Sequence, residues 1–571
     1  MIVSKKGVIR TDVLVIGGGL GGCIAAIKAK EQGATVVLME KAAISRSGNA
    51  ATGLHRIPLI APDFNMSAEE FASKQFDYGE IVNEDLSYIF AKESYGIIKD
   101  LESYGIRCRL DDESFMFEWA PDILFPGKIV IYPPEGQTFK PKLAQVVRDR
   151  GVRLLERTMA ITLLTREGQK GLPVIGAIGI NTRTGEFVVV QSKATILTTG
   201  GGYRLYRHRD SLYAPSRNIT AGCPANVGEG VALAYRAGAE ILNMELLKQS
   251  PVWKDYEHWG VGPIAYRHGS KVIDYSGAPL YPDMNMKTKT WGWLYAENVE
   301  GRGPIHYDLT YLSEEAIKDK ELALKMECEA YFVYIKARNI DLRKKPIEFE
   351  NHPPYLHNCQ AGVSISMDGR TTLEGLYAAG DCHGGGWRFS SMGAFVFGAL
   401  SGKNGAEVSK KIPPPEINWD QVRGEKARIE RYTGPAKGIE PFELEDKIRK
   451  TISDYAGFLR NEGKLKRGLE RLAYFKETFF PKMVARNVRE LKRAIEVDSI
   501  LLLGEMHLRA ALFRKETRIC PVAVHYRIDY PETDNINWRK HTVLRQGDDG
   551  TMEVCSRPLR RLKDISTEDN R

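Results

Sequence analysis

The residues with the clearest chemical assignment lie between positions 12 and 41, in DVLVIGGGLGGCIAAIKAKEQGATVVLMEK. Gly17, Gly19 and Gly22 satisfy G-x-G-x-x-G, with Leu20 inside the loop, and Glu40 follows Gly22 by eighteen residues. That set suits a dinucleotide. The first glycine permits a tight turn, the second lets backbone N–H groups approach a pyrophosphate, and the third lets a helix pack closely on a strand. The helix N-terminus adds partial positive charge at the phosphates. A carboxylate at the end of the next strand meets the ribose hydroxyls.

The elements that must position these groups are legible around them. Val13–Ile16 is a short apolar run with β-branched residues, the pattern of a buried parallel strand. Cys23–Gln32 has helix composition, with Ile24 and Ile27 for the sheet side, and Gly33 stops it. Thr35–Met39 reads as a second strand that delivers Glu40. Strand, loop, helix, strand and carboxylate fall in register, which a plain glycine-rich turn does not require. After Lys41 comes a small, polar loop, residues 42–53, containing Ser45, Arg46, Ser47 and Gly48 and suited to wrapping a cofactor's diphosphate.

At 571 residues the chain is long enough for several domains. Its formal charge of +8 is small for that length, and no dense basic run with interleaved aromatics appears, so nucleic-acid binding is not expected. The eight cysteines are scattered without a C-x-x-C pair. That argues against a zinc or iron–sulfur site built within the chain and against a disulfide framework. There is no signal-peptide pattern and no apolar run of about 18 residues, so a soluble, cytoplasmic protein without direct membrane insertion is expected.

Further along, residues 67–75 and 84–104 carry helical periodicity, and residues 136–151 read as a helix leading to a strand near 152–155. Residues 158–198 alternate as a β-meander ending at the second glycine cluster, Gly200-Gly201-Gly202. Residues 241–350 are aromatic-rich and irregular, as an inserted domain would be. Residues 375–407 return to strand, glycine loop and helix, Pro413-Pro414-Pro415 marks a linker, and 420–515 reads as a helical bundle.

Taken together, these segments resemble the succinate dehydrogenase/fumarate reductase flavoprotein family, and most closely its adenylylsulfate reductase alpha-subunit branch. The resemblance rests on Ala194–Gly201 (A-x-I-L-A-T-G-G), Val227–Ala239, Gly375–Asp381 (G-L-Y-A-A-G-D), Glu300–Gly303 (E-G-R-G), Gly136–Pro141, Arg514–Arg518 and Tyr526–Glu532. It implies FAD as cofactor. The implied fold is α/β + α: a Rossmann-like FAD-binding domain in two parts (1–240 and 351–412), an inserted α+β capping domain (241–350), a helical domain (413–515) and a small C-terminal domain (516–571). The implied cofactor contacts, besides those already named, are Lys41, Ala160, Thr199, Gly200, Gly201, Glu229 (where Asp is usual), Gly380, Asp381 on the ribityl chain, and Ser391.

The departures from that family carry information. Respiratory members have a histidine in R-S-H bonded covalently to FAD. Here Gly48 follows Arg46-Ser47, so FAD is expected to be held non-covalently. Of the two substrate histidines, one place holds Ser250 and the other keeps His357. The proton-donating arginine falls near Lys287 and Lys289, and the second arginine matches Arg388 beside Trp387. In the adenylylsulfate branch an asparagine and an arginine contact substrate where Pro58 and Trp253 stand here. The resemblance therefore implies His357, Arg388 and Lys287 as catalytic residues. His55, Arg56 and an aromatic wall at Trp253 are the expected substrate contacts, while Arg518 and His525 are read as structural. Without a second dinucleotide fingerprint or cluster cysteines, electrons are expected to be exchanged with a protein or a quinone, and the resemblance implies a ferredoxin-like iron–sulfur subunit as that partner. The expected reaction is flavin-dependent oxidoreduction of a small organic anion, unsaturated and carboxylate-bearing; adenylylsulfate chemistry and a pure electron relay are the alternatives.

Overall fold

The computed structural model describes the chain apart from residues 1–6, 55, 62–65, 78–80, 120–128, 208–221, 249–250, 255–267, 269, 281–300, 328–329, 352–355, 357–359, 387–388, 434–436, 520–523 and 565–571. Its central sheet joins strands Ile9–Ile16, Val36–Glu40, Arg153–Glu156, Thr158–Thr165, Val174–Asn181, Phe187–Leu197 and Leu376–Ala378. Ile9–Ile16 lies between Val36–Glu40 and Phe187–Leu197, parallel to both. Val13, Leu14 and Val15 are fully buried, as a strand covered on both faces must be. Phe187–Leu197 has two partners on its other side. Its first half pairs antiparallel with Val174–Asn181, and its second half pairs parallel with Leu376–Ala378.

That register fixes the position of the site. Ile16 pairs with Met39 and with Leu197, and Leu197 pairs with Ala378. The chain therefore leaves three parallel strands at one edge, through Gly17, Thr198 and Ala379, with Glu40 beside them. This carboxyl edge is where open α/β sheets take ligands.

Helices Leu20–Glu31 and Ser390–Ser409 pack on this sheet and on each other. They approach closely because Gly398 has no side chain: a Cβ there would stand 2.5 Å from the Gly21 carbonyl oxygen. The close crossing holds the first turns of both helices at the sheet edge.

Residues 251–351 build a second, antiparallel sheet from Pro251–Trp253, Ile347–Asn351, Ile305–Asp308 and Lys271–Ile273, with helices Glu314–Glu327 and Ala330–Ala337. It has its own core, including Trp253, Ile305, Tyr307, Leu324 and Phe349. Helices Trp419–Glu430, Pro441–Tyr455, Glu462–Thr478 and Val488–Phe513 form the helical unit. Asn418, Asn461 and Asn487 cap three of them, each side-chain oxygen accepting backbone N–H groups of the first turn.

The C-terminal segment is joined to earlier parts of the chain by strand pairing. The hairpin Lys540–Gln546/Met552–Pro558 pairs with Ile241–Leu242, which pairs in turn with Gly362–Val363. Arg514, Glu516, Thr517 and Arg518 are buried, and Arg514 donates to the hairpin at the Lys540 carbonyl. Arg514 pairs with Glu245 at 2.6 Å and with Glu516 at 2.9 Å, and Arg518 pairs with Glu516 at 2.8 Å. His525 Nδ1 lies 2.9 Å from Arg460, and burial holds this histidine well below its usual range, hence neutral. Among the described residues no helix is long and apolar enough to cross a membrane.

Candidate functional site

The loops at the carboxyl edge of the sheet enclose a cavity of about 540 Å³. Gly17, Gly19 and Leu20 form one stretch of its wall, and Glu40, Lys41, Arg46, Ser47 and Gly48 form the next. Ala160, Thr199, Gly200, Glu229, Gly380, Asp381 and Ser391 also face it. Residues from seven separate stretches of sequence are thus brought to one space.

Gly22, Ser45 and Gly201 are not on the wall. Gly22 acts behind it: a Cβ there would lie 1.8 Å from the Gly17 carbonyl oxygen, so the helix seats on the loop only with glycine. Gly201 packs on the chain at Leu356, where a Cβ would meet the carbonyl oxygen at 2.4 Å. Ser45 sits in the short turn Ile44–Arg46. Gly19, by contrast, faces open space, since a Cβ there would meet only the Thr198 oxygen at 3.9 Å. Its missing side chain leaves room for a ligand, and the loop thereby fits a dinucleotide's pyrophosphate.

Glu40 does more than wait for a ribose. Its Oε2 accepts the Gly18 N–H at 2.6 Å and its Oε1 accepts the Ala42 N–H at 2.7 Å. The carboxylate thus braces the glycine loop, and its remaining lone pairs are those available to hydroxyls. Ser47 Oγ donates to the Gly18 carbonyl at 2.9 Å, holding the same loop from the other side. Arg46 Nη1 donates to the Ala51 carbonyl at 3.2 Å.

Lys41 is bound into a buried charge network. Its ammonium donates to the Ala225 carbonyl and to Glu229, and lies 3.3 Å from Glu496. Glu496 accepts from Arg204 at 2.6 Å, and Arg204 reaches Glu445 at 3.0 Å. Burial alone would lower the Lys41 pKa, but Glu229 and Glu496 hold it above its usual value. Burial would raise Glu496, yet Lys41 and Arg204 hold it far below the carboxylate range. The network joins the cavity wall to helices Pro441–Tyr455 and Val488–Phe513.

Asp381 is held from two sides. Its Oδ2 accepts from Asn49 Nδ2 at 3.1 Å and from the Tyr203 hydroxyl at 3.4 Å. Neither Asn49 nor Tyr203 stands out in the sequence, and the one signal for Asn49 is its place directly after Gly48. Cys223 and Ala225, also on the wall, lie just before the helix Glu229–Ala237.

Arg56 faces the cavity. Ser391 Oγ donates to the Arg56 carbonyl at 2.8 Å, which places Arg56 at the first turn of Ser390–Ser409. His55, Lys287, Lys289, His357, Trp387 and Arg388 lie outside the described residues. Trp253 stands apart from this cavity. Its ring is fully buried in the second core, edge-on to Tyr334 at 5.7 Å and to Phe349 at 6.4 Å, and it is not part of the cavity wall. The reason is strand geometry: Trp253 pairs with Phe349 across the sheet, and both side chains point into that core.

Comparison with known proteins agrees with this layout. Residues 12–394 match the family model described as FAD binding domain, and residues 445–566 match that described as fumarate reductase flavoprotein C-term. An uncharacterized FAD-dependent oxidoreductase of Methanocaldococcus jannaschii is 25% identical, over 94% of this chain and 96% of its own. A fumarate reductase (CoM/CoB) subunit of Methanothermobacter marburgensis is 25% identical, over 94% of this chain and 97% of its own. The solved structure of adenylylsulfate reductase from Archaeoglobus fulgidus superposes with a TM-score of 0.83 at 25% identity, covering 97% of this chain and 96% of that one. Two family models cover most of the chain, and the cavity lies where the first of them places its cofactor domain. The chain belongs to the FAD-binding-domain family and is an FAD-dependent oxidoreductase of the succinate dehydrogenase/fumarate reductase flavoprotein group.

Proposed function

We propose that this flavoprotein exchanges an electron pair between a small organic anion, of the unsaturated-carboxylate type, and an iron–sulfur partner. FAD supplies the two-electron chemistry when bound. In this reading the chain holds it without a covalent bond. Backbone N–H groups around Gly17–Leu20 take the diphosphate, and Glu40 and Asp381 take hydroxyls. Gly48 supports the non-covalent part: its φ is +75° and a Cβ there would lie 3.2 Å from the Gly19 Cα, so a histidine is disfavoured.

Arg56 is the observation that carries the substrate class. Arg56 lines the cavity and its backbone carbonyl is tied to the first turn of a twenty-residue helix, so an arginine and a helix N-terminus stand at one place. An anion placed there is held and oriented, which is what reaction with a flavin requires. From sequence pattern alone, His55, His357 and Arg388 join it around the substrate and Lys287 handles the proton. The Methanothermobacter relative is by name one subunit of a fumarate reductase, which supports both a partner protein and the substrate class. A cytoplasmic location belongs to the same reading, since scattered cysteines stay reduced there.

Adenylylsulfate reduction is the second reading, favoured by the likeness to the Archaeoglobus enzyme over nearly the whole chain. Against it, Pro58 is buried in strand Ile57–Leu59 and Trp253 in the second core, so neither place offers a polar ligand. The test is an anaerobic assay driven by reduced methyl viologen, with fumarate, several 2-enoates and adenylylsulfate. One enoate is expected to turn over, and Arg56→Ala to raise its KM about tenfold or more. Turnover of adenylylsulfate alone would establish the second reading and overturn the first.

A further inference from the structure

We propose that Asn49 is a positioning residue of the cofactor cavity, whose amide aims the Asp381 carboxylate and ties residues 222–226 against it. FAD as cofactor is taken as given; nothing in the inference depends on the substrate.

Every near partner of the amide comes from a different segment. Asn49 Nδ2 donates to the Tyr203 hydroxyl at 2.7 Å and to Asp381 Oδ2 at 3.1 Å, while Asn49 Oδ1 accepts the Cys223 N–H at 2.9 Å. The segments at 203, 223 and 381 are far apart in sequence and meet at this one side chain. Tyr203 is buried and aims its own hydroxyl at the same Asp381 oxygen. The seat is tight: a Cβ on Gly222 would lie 2.3 Å from the Tyr203 ring and 2.8 Å from Asn49 Oδ1. Asn49, Cys223 and Asp381 all face the cavity.

The chemistry explains why an amide is required. Asn49 must accept from Cys223 and donate to a carboxylate, and only a group with both functions does so. Aspartate at this position would keep the shape and the Cys223 contact. It would also set a second carboxylate about 3 Å from Asp381, where two like charges are not both tolerated. Alanine would lose both arms without adding charge.

The two substitutions therefore separate positioning from packing. Among the described residues, Tyr203 reaches Asp381, Cys382 and His383 follow it in the chain and feel its charge, and Glu229 acts on Cys382. Burial pushes Cys382 up to about 11 and His383 down to about 4, so both are neutral across the pH range of the test. Glu229 is paired with Lys41.

The experiment is titration of apoprotein with FAD, followed by flavin fluorescence between pH 5.5 and 8, for wild type, Asn49→Ala, Asn49→Asp and Tyr203→Phe. Asn49→Ala is expected to bind FAD about tenfold to a hundredfold more weakly at every pH. Asn49→Asp is expected to be weaker still at pH 8 and to recover as pH falls, because the paired carboxylates then share a proton. Tyr203→Phe is expected to show a smaller loss. Circular dichroism of each apoprotein checks folding. Folded Asn49→Ala and Asn49→Asp with wild-type affinity, or an Asn49→Asp defect flat with pH, would overturn the proposal.

Discussion

Replacing Lys41 with methionine tests the buried network most severely. Lys41 is the one cation that pairs with Glu229 among the described residues, whereas Glu496 keeps Arg204 at 2.6 Å and Lys492 at 3.4 Å. Lys41→Met therefore strands one buried carboxylate, not two. Stranding a buried charge by removing its partner costs about 3–5 kcal/mol. Glu229 also accepts the Val227 N–H at 3.3 Å and faces the cavity, which places the expected loss at the lower end, about 3 kcal/mol. The assay is a double-mutant cycle with Glu229→Gln, read by calorimetric midpoint and FAD affinity. Lys41→Met/Glu229→Gln is expected to recover most of the loss, since no unpaired charge remains. In the wild type Glu496 is held far below its unfolded pKa, so its contribution is present above about pH 4.5 and lost as pH falls toward the folded value. Strict additivity of the two substitutions would refute the coupling.

Three further outcomes follow from single contacts. Gly48→His is expected to weaken FAD retention without creating a covalent flavin, so acid precipitation should leave all flavin in the supernatant; yellow protein in the pellet would contradict this. Trp253→Ala should cost about 3–5 kcal/mol in stability, while Trp253→Phe folds with kcat/KM near wild type; a selective loss of kcat/KM in a stable Trp253→Phe would return this residue to the substrate wall. Asn487→Ala should lower stability by about 1 kcal/mol through the lost cap to the Glu490 N–H at 3.0 Å, with no change in FAD affinity.

Local patterns in the sequence were readable where one segment both makes and explains the feature. The glycine loop, its helix and Glu40 form such a unit, and the helical periodicity of 420–515 is another. The cavity's polar clamps were not readable, because Asn49, Tyr203 and Asp381 converge only once three strands of the sheet bring their ends together. The surroundings of Trp253 were not readable for a related reason: strand alternation turns its ring into a core formed with residues about a hundred positions later. The pairing of the hairpin Lys540–Gln546/Met552–Pro558 with Ile241–Leu242 was not readable, since a short strand pairing leaves no periodic signal. Gly398 lies where the chain reads simply as a small-residue helix, and only the crossing with Gly21 shows its purpose.

The most direct measurement is a single turnover. The purified flavoprotein is photoreduced without oxygen, and its visible flavin band is followed after mixing with fumarate, a set of 2-enoates, or adenylylsulfate. Fast, stoichiometric reoxidation by one unsaturated carboxylate, slowed in Arg56→Ala, is the predicted result. Reoxidation by adenylylsulfate alone, with sulfite released, would contradict it. So would a reduced flavin that no small anion oxidises but an iron–sulfur protein does, because the chain would then be a relay.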